Sequence, residues 1–121
     1  MKTANLTYFE NWTTQARKGV LELRVLNILR HGERHGYDLV KLLVSMPGAG
    51  VAEGTVYPLL SRLRVQGLVD TRLEESSEGP ARKYYRLTDI GKATVTLMND
   101  YWNLLRQGME EPIRKTDRSD T

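Results

Sequence analysis

His31 and His35 have the four-residue spacing of a helical metal pair. However, Gly32 and Gly36 interrupt the helix there, and no third ligand stands close by in the sequence. Glu74 and Glu75 form a carboxylate pair, but the surrounding stretch reads as an exposed hairpin where nothing would raise a carboxyl pKa for acid catalysis. There is no cysteine, Gly-rich phosphate loop or nucleophile elbow. With no set of residues that supplies acid, base and oxyanion groups together, we expect no enzyme, metal centre or cofactor. The polar residues that remain suit a different chemistry. Thr55, Tyr57, Ser61 and Arg62 lie at spacings that point them away from the apolar face of one helix. Hydroxyls and a guanidinium donate to phosphate oxygens, and arginine can chelate guanine O6 and N7. Gly54 beside them lets a backbone approach a phosphate closely. Arg82 and Lys83 form a second basic spot further along the chain.

The elements that must position these residues follow from periodicity. Residues 15–30 read as a helix with Leu21, Val25, Ile28 and Leu29 on one face, and Gly32 stops it. A second helix over 35–46 carries Leu39, Leu42 and Leu43, with Tyr37 expected in the core, and Pro47 and Gly48 break it. A third, over 53–66, sets Val56, Leu59, Leu60 and Leu63 on one face, with Pro58 expected near its first turn and Gly67 at its end. The period then changes. Residues 68–73 and 82–87 read as two strands of a hairpin, with a turn-forming stretch at 75–80 between them. Thr88 and Asp89 cap a long last helix to about Met109. On that helix Ile90, Leu97, Tyr101 and Leu104 are expected to cover the domain's own core. Met98, Trp102, Leu105 and Met109 are left to find a partner. Leu6, Tyr8, Phe9 and Trp12 are too apolar for a free tail, so residues 1–14 read as an arm or short helix against the last helix. Residues 110–121 are polar, contain Pro112 and read as a flexible tail.

The resulting architecture is mainly α with a small β-hairpin. It is a winged helix-turn-helix over 15–88 followed by a dimerisation helix over 89–109. A third helix after a tight break can enter a DNA major groove while the hairpin reaches the backbone beside it. The chain has 121 residues, one domain's worth, which leaves no room for a separate catalytic domain. Lys and Arg number 18 against 15 Asp and Glu, a net +3 that permits an anionic partner without requiring one. The lack of cysteine suits a reducing cytoplasm, and neither a secretory run nor a membrane-spanning segment is expected.

The order and spacing of several short motifs carry a resemblance to a known family. These are Arg17-Lys18-Gly19-Val20-Leu21-Glu22-Leu23, His35-Gly36-Tyr37-Asp38-Leu39, Glu53-Gly54-Thr55-Val56-Tyr57-Pro58-Leu59-Leu60, Gly67-Leu68-Val69, Arg82-Lys83-Tyr84-Tyr85-Arg86-Leu87-Thr88 and Gly91. Over about residues 17–102 the chain resembles the PadR-type (phenolic acid decarboxylase regulator) transcription factors, in the subgroup with a short C-terminal helix. The resemblance implies a homodimeric bacterial regulator, usually a repressor of nearby genes. It places Thr55, Tyr57 and Pro58 in the recognition segment, with Val56 where the family has Leu, and sets Arg82 and Lys83 on the wing against the DNA backbone. Some members use a pocket at the dimer interface. Trp102, flanked by Met98, Tyr101, Leu105 and Met109, is therefore the candidate site for a small planar aromatic or cationic effector. The expected function is a dimer on a pseudo-palindromic operator with half-sites about 34 to 36 Å apart. The alternative is a winged-helix protein-interaction module without sequence-specific DNA binding, anchored by Tyr57. A steep salt dependence of binding would distinguish the first from the second.

Overall fold

The computed structural model describes residues 3–48, 51–75, 79 and 82–119, with residues 112–119 described by backbone alone. Helix α1 (Ala4–Arg30) opens at Thr3, whose Oγ1 accepts from the Leu6 amide at 3.4 Å. Residues 4–14, expected as part of an arm or short helix, are continuous with residues 15–30 in this one helix. No proline interrupts residues 4–30, and the exposed Gly19 costs too little to stop a helix anchored at both ends. Gly32 follows with φ 135, and strand β1 (Arg34–His35) leads directly into α2 (Gly36–Val44). His35 serves as the N-cap of α2, its Nδ1 accepting from the Tyr37 amide at 3.2 Å. Helix α3 (Glu53–Val65) ends in a Schellman turn. Gly67, at φ 79, donates to the Arg64 carbonyl, and Leu68 donates to that of Leu63. Pro58 lies in the second turn of α3, not near the first as expected, so the Gly54 carbonyl loses its usual intrahelical donor.

Strands β2 (Val69–Glu74) and β3 (Arg82–Leu87) form the hairpin, from the Val69–Leu87 pair out to Glu74–Arg82. Of the turn expected at 75–80, Ser76, Ser77, Glu78 and Pro80 lie outside the described residues. The sheet has three strands in the order β1-β3-β2, because Arg34 and His35 pair with Tyr85 and Tyr84. A two-residue strand has no period to read, which is why only two strands were expected.

Helix α4 (Asp89–Ser119) runs well past Met109 and through Pro112, so residues 110–119 of the expected flexible tail are helical instead. Its inward face also differs from expectation. Gly91 and Val95 are buried and Met98 packs on the core, whereas Ile90, Leu97, Tyr101 and Leu104 are exposed. The domain end of α4 lies so close to the α3–β2 turn that only small or slender side chains fit between them. The core joins α1 (Leu21, Val25, Leu26, Ile28, Leu29), α2 (Leu39, Val40, Leu43) and α3 (Val56, Leu59, Leu60, Leu63) under the sheet residues Val69, Tyr85 and Leu87. Leu42, expected inside, is partly exposed on the far side of α2, and Val40 takes its place in the core.

A Cβ added at Gly91 would stand 2.0 Å from the Leu68 carbonyl oxygen and 3.0 Å from its carbon. Because the obstacle is backbone, Gly91→Ala should destabilise the protein by about 2 to 3 kcal/mol. Urea unfolding at fixed protein concentration checks this, and a change below about 0.5 kcal/mol would show that α4 does not need this close approach.

Candidate nucleic-acid interface

With Val56, Leu59, Leu60 and Leu63 buried, the 3.6-residue period of α3 assigns the rest of its surface. Gly54, Pro58, Ser61 and Val65 lie on the outermost ridge, and Val65 is 83% exposed. Tyr57 and Arg64 flank that ridge on the sheet side, and Thr55 and Arg62 flank it on the α1 side. All of the residues expected to face outward on this helix are exposed. The N-cap is Ala52, whose side chain makes no capping bond, and the first turn closes with the Thr55 amide donating to the Ala52 carbonyl at 3.0 Å. Glu53 in that same turn opposes an anion.

On the sheet side, Tyr57 lies across Gly36. A Cβ there would come within 3.4 Å of Tyr57 Cε1 and 3.2 Å of Tyr85 Cε2. Gly36 thus lets the recognition helix, α2 and β3 meet. A shallow cleft of about 240 Å³ joins Tyr57, Tyr37, His35, Tyr85, Arg82 and Lys83. This brings three of the expected site residues together, although Arg82 and Lys83 are far from Tyr57 in the sequence. No ion-pair partner holds either cation among the described residues. Tyr37 is not the core residue expected. It is 54% exposed with Lys41 Nζ 5.2 Å from its ring centre, because Gly36 beside it already fills the close contact. Burial pushes the Tyr85 phenol above its ordinary pKa and neighbouring Tyr57 adds to this, while Arg64 opposes both. Arg64 was missed in the sequence reading, yet its i+7 spacing from Tyr57 already placed it on this flank.

The α1 side is different. Arg62 forms an ion pair with Glu22, their side chains 58% and 35% exposed, so the expected base-reading arginine is held by a carboxylate of α1. Lys18, Leu21, Thr55, Pro58 and Leu59 complete the groove of about 440 Å³ around this pair. Nothing in the spacing of residues 22 and 62 foretold the contact.

The wing is braced from its base. The Arg72 Nε lies 3.0 Å from both oxygens of Glu33, its Nη1 lies 3.2 Å from Glu74 Oε2, and its guanidinium stacks 4.6 Å from the Tyr84 ring centre. Arg86 and Asp70, paired across the strands, meet at 3.2 Å. Glu74 is therefore part of a structural ion pair and not of an acid/base couple. Among the described residues no three His, Asp or Glu side chains gather as a metal site would require.

The model of the transcriptional regulator PadR-like family matches residues 25–97, more than half of the chain. This chain belongs to that family. The mycobacterial "Transcriptional regulator Rv3488" (Mycobacterium tuberculosis) is 35% identical over 66% of this chain and 73% of its own length. "Negative transcriptional regulator PadR" of Bacillus subtilis is 29% identical over 78% of this chain, which spans about half (51%) of that protein. Among solved structures, a PadR family regulator from Eggerthella lenta superposes with a TM-score of 0.76 at 32% identity, covering 91% of this chain and 96% of the other. A PadR-like regulator from Bacillus cereus gives 0.72 at 35%, covering 82% and 96%. The helices with their three-stranded sheet are thus the PadR-like winged-helix fold. No helix among the described residues is long and apolar enough to cross a membrane.

The brace at the wing base predicts an acid dependence. The Arg72 guanidinium bonded to Glu33 holds that carboxyl below its ordinary value of 4.5. A folded-state pKa below the unfolded one stabilises fully above the unfolded value, and the effect is lost as pH falls through the folded pKa. The protection of the β2–β3 amides, taken relative to their intrinsic exchange rates at each pH, should therefore fall as the pH drops below 4.5. In Glu33→Gln the wing should already exchange faster at neutral pH and lose this part of the acid dependence. Identical profiles for the two proteins would mean that Glu33 does not hold the wing.

Proposed function

We propose that this PadR-like protein is a cytoplasmic homodimer that binds double-stranded DNA at a pseudo-palindromic operator and represses transcription. The observation that carries this is the sheet-side cleft, where Tyr57 of α3 stands beside Arg82 and Lys83 of the wing, cations that no carboxylate neutralises among the described residues. In this reading the ridge of Gly54, Pro58 and Ser61 enters the major groove, Thr55 and Tyr57 reach phosphates or base edges, and Arg82 and Lys83 follow the backbone. The salt dependence of binding tests it. Lys83→Ala and Arg82→Ala should each weaken binding to operator and unrelated duplexes alike, and each should reduce the slope of log K against log salt by about 0.9. Unchanged affinity and slope in the folded double variant would remove the wing from the interface. Footprinting on the DNA flanking the protein's own gene locates the operator.

Dimerisation through α4 is supported by its exposed apolar side chains, Leu97, Tyr101, Trp102, Leu104, Leu105 and Met109, which a lone domain leaves in water. Sedimentation should show a dimer at micromolar concentration, and a stable folded monomer there would exclude it. The effector site in this reading is the apolar groove of about 550 Å³ between α1 and α4. Met98, Tyr101, Trp102 and Leu105 face Val20 and Leu23 across it. Met109, the fifth residue expected there, is not among those lining the groove. Flat aromatic walls with flexible methionine suit planar aromatic cations. The protein has two tryptophans, so Trp12→Phe leaves Trp102 as the only indole. A planar aromatic cation should quench its fluorescence and weaken operator binding at the same concentrations. Quenching without a change in DNA affinity would separate the groove from regulation.

A further inference from the structure

The two flanks of α3 are chemically unlike, and the difference centres on one carboxylate. An α-helix with its side chains is about 10 to 12 Å across and the major groove about 12 Å wide, so a helix seated there has a row of phosphates along each flank. On the sheet side the cleft around Tyr57 is lined by Arg82 and Lys83 and by no acid. On the α1 side, Lys18 and Arg62 share their groove with Glu22, and Arg62 is bonded to Glu22. Thr55 lies on this same flank toward the start of the helix.

We propose that Glu22 is a specificity-determining residue that withholds Arg62 from DNA in general and releases it only to a better acceptor at the operator. This rests on the DNA-binding reading above. The pair is a single bond from Arg62 Nη2 to Glu22 Oε1, so Arg62 keeps further donors, but it offers its full fork to a nucleic-acid acceptor only by leaving the carboxylate. Against an arbitrary sequence the replacement is a phosphate, which fits the fork no better than the carboxylate already does, and the exchange leaves Glu22 without its partner beside a phosphate row. Arg62 therefore stays on Glu22 in such complexes, and the carboxylate adds repulsion. A guanine edge offers two acceptors in one plane, O6 and N7, which match the guanidinium fork, so there the exchange is favourable. Lys18, one turn before Glu22 and lining the same groove, remains for the released carboxylate. An exposed ion pair is weak, which is what allows such a latch to open.

The test compares wild-type protein with Glu22→Gln, Arg62→Ala, Arg62→Lys and the Glu22→Gln/Arg62→Ala double variant. Two probes are used: a duplex selected by the wild-type protein from a randomised library, and a shuffled duplex of the same composition. Thermal midpoints confirm folding. Glu22→Gln should tighten the shuffled duplex by about three- to tenfold and steepen its log K against log salt slope by about 0.9, as Arg62 gains a phosphate, with a smaller gain on the selected duplex. Arg62→Ala and Arg62→Lys should weaken the selected duplex and leave the shuffled one nearly unchanged. In the double variant the steeper slope should vanish, which distinguishes release of Arg62 from simple removal of a negative charge. Should wild-type protein bind the two duplexes equally, or fail to bind either, sequence-specific binding itself is wrong and the latch falls with it. If wild-type protein discriminates but Glu22→Gln leaves the ratio of the two affinities unchanged, the latch alone is overturned.

Discussion

One threonine hydroxyl joins the end of α3 to the start of the long C-terminal helix α4. Thr88 Oγ1 donates toward the Gly67 carbonyl at 2.6 Å, with that of Leu68 at 3.2 Å, and accepts from the Gly91 amide at 3.0 Å. The Thr88 amide donates to the Leu68 carbonyl at 3.1 Å. The cap of α4 is thus bonded to the very turn that ends α3. This holds only because Gly67 takes a positive φ and Gly91 has no side chain to strike Leu68. Each carbonyl here is at a helix end or strand entry and would otherwise need water. The connection ties the end of α3 to the start of α4. In the dimer proposed above, the arrangement of α4 would set the separation of the two α3 helices through this turn, and a ligand preferring one arrangement would change it.

Helix α1 is the other half of this frame, for it borders both surfaces. Near its end, Asn27 and Asn99 exchange side-chain hydrogen bonds at 2.9 and 2.8 Å, joining α1 to α4. Each amide satisfies the other in a half-buried seam, so the pair sets register at little cost, whereas an apolar residue at one position would leave its partner unsatisfied. One side of α1 carries Glu22 toward the recognition helix, and another carries Val20 and Leu23 toward α4. The same helix thereby forms one wall of the apolar groove and one flank of the exposed face of α3.

What could be read in the sequence was whatever the local period or a single backbone requirement dictates. The buried face of α3, Leu39 and Leu43 of α2, the stop at Gly67, the Thr88 cap and the exposure of Thr55, Tyr57, Ser61 and Arg62 are all of that kind. The departures arise where tertiary contact decides. On α4, side-chain size pointed to Ile90, Leu97, Tyr101 and Leu104 as the inward stripe. The close approach at Leu68 instead selects Gly91, and Val95 and Met98 follow it at i+4 and i+7 on the same inward face. Residues 4–14 show no clear apolar face, since Leu6, Tyr8, Phe9 and Trp12 are all exposed, so continuity with the rest of α1 had no periodic signal. Strand β1 is too short for one. Of the candidate site, the residues on α3 were legible and their partners were not. The union of Tyr57 with Gly36 and the pairing of Arg62 with Glu22 both join segments far apart in the chain.

The net charge of +3 is a poor guide to the electrostatics of this surface, because the structure sorts its charges before any partner arrives. On the wing, Arg72 is committed to Glu33 and Glu74, and Arg86 to Asp70. On α3, Arg62 is committed to Glu22. Pairs of this kind add little stability when exposed, but they subtract their arginines from the field that an anion meets. Arg82 and Lys83 are left at the start of β3, beside Tyr57 and away from the braced base of the wing. Cations without an ion-pair partner among the described residues thus stand beside α3, while the paired arginines give the hairpin its fixed position. Neutralising Arg82 and Lys83 and disrupting the Arg72 brace are consequently different perturbations: the first removes charge from a wing that remains in place, and the second leaves the charge intact on a wing that no longer presents it beside α3.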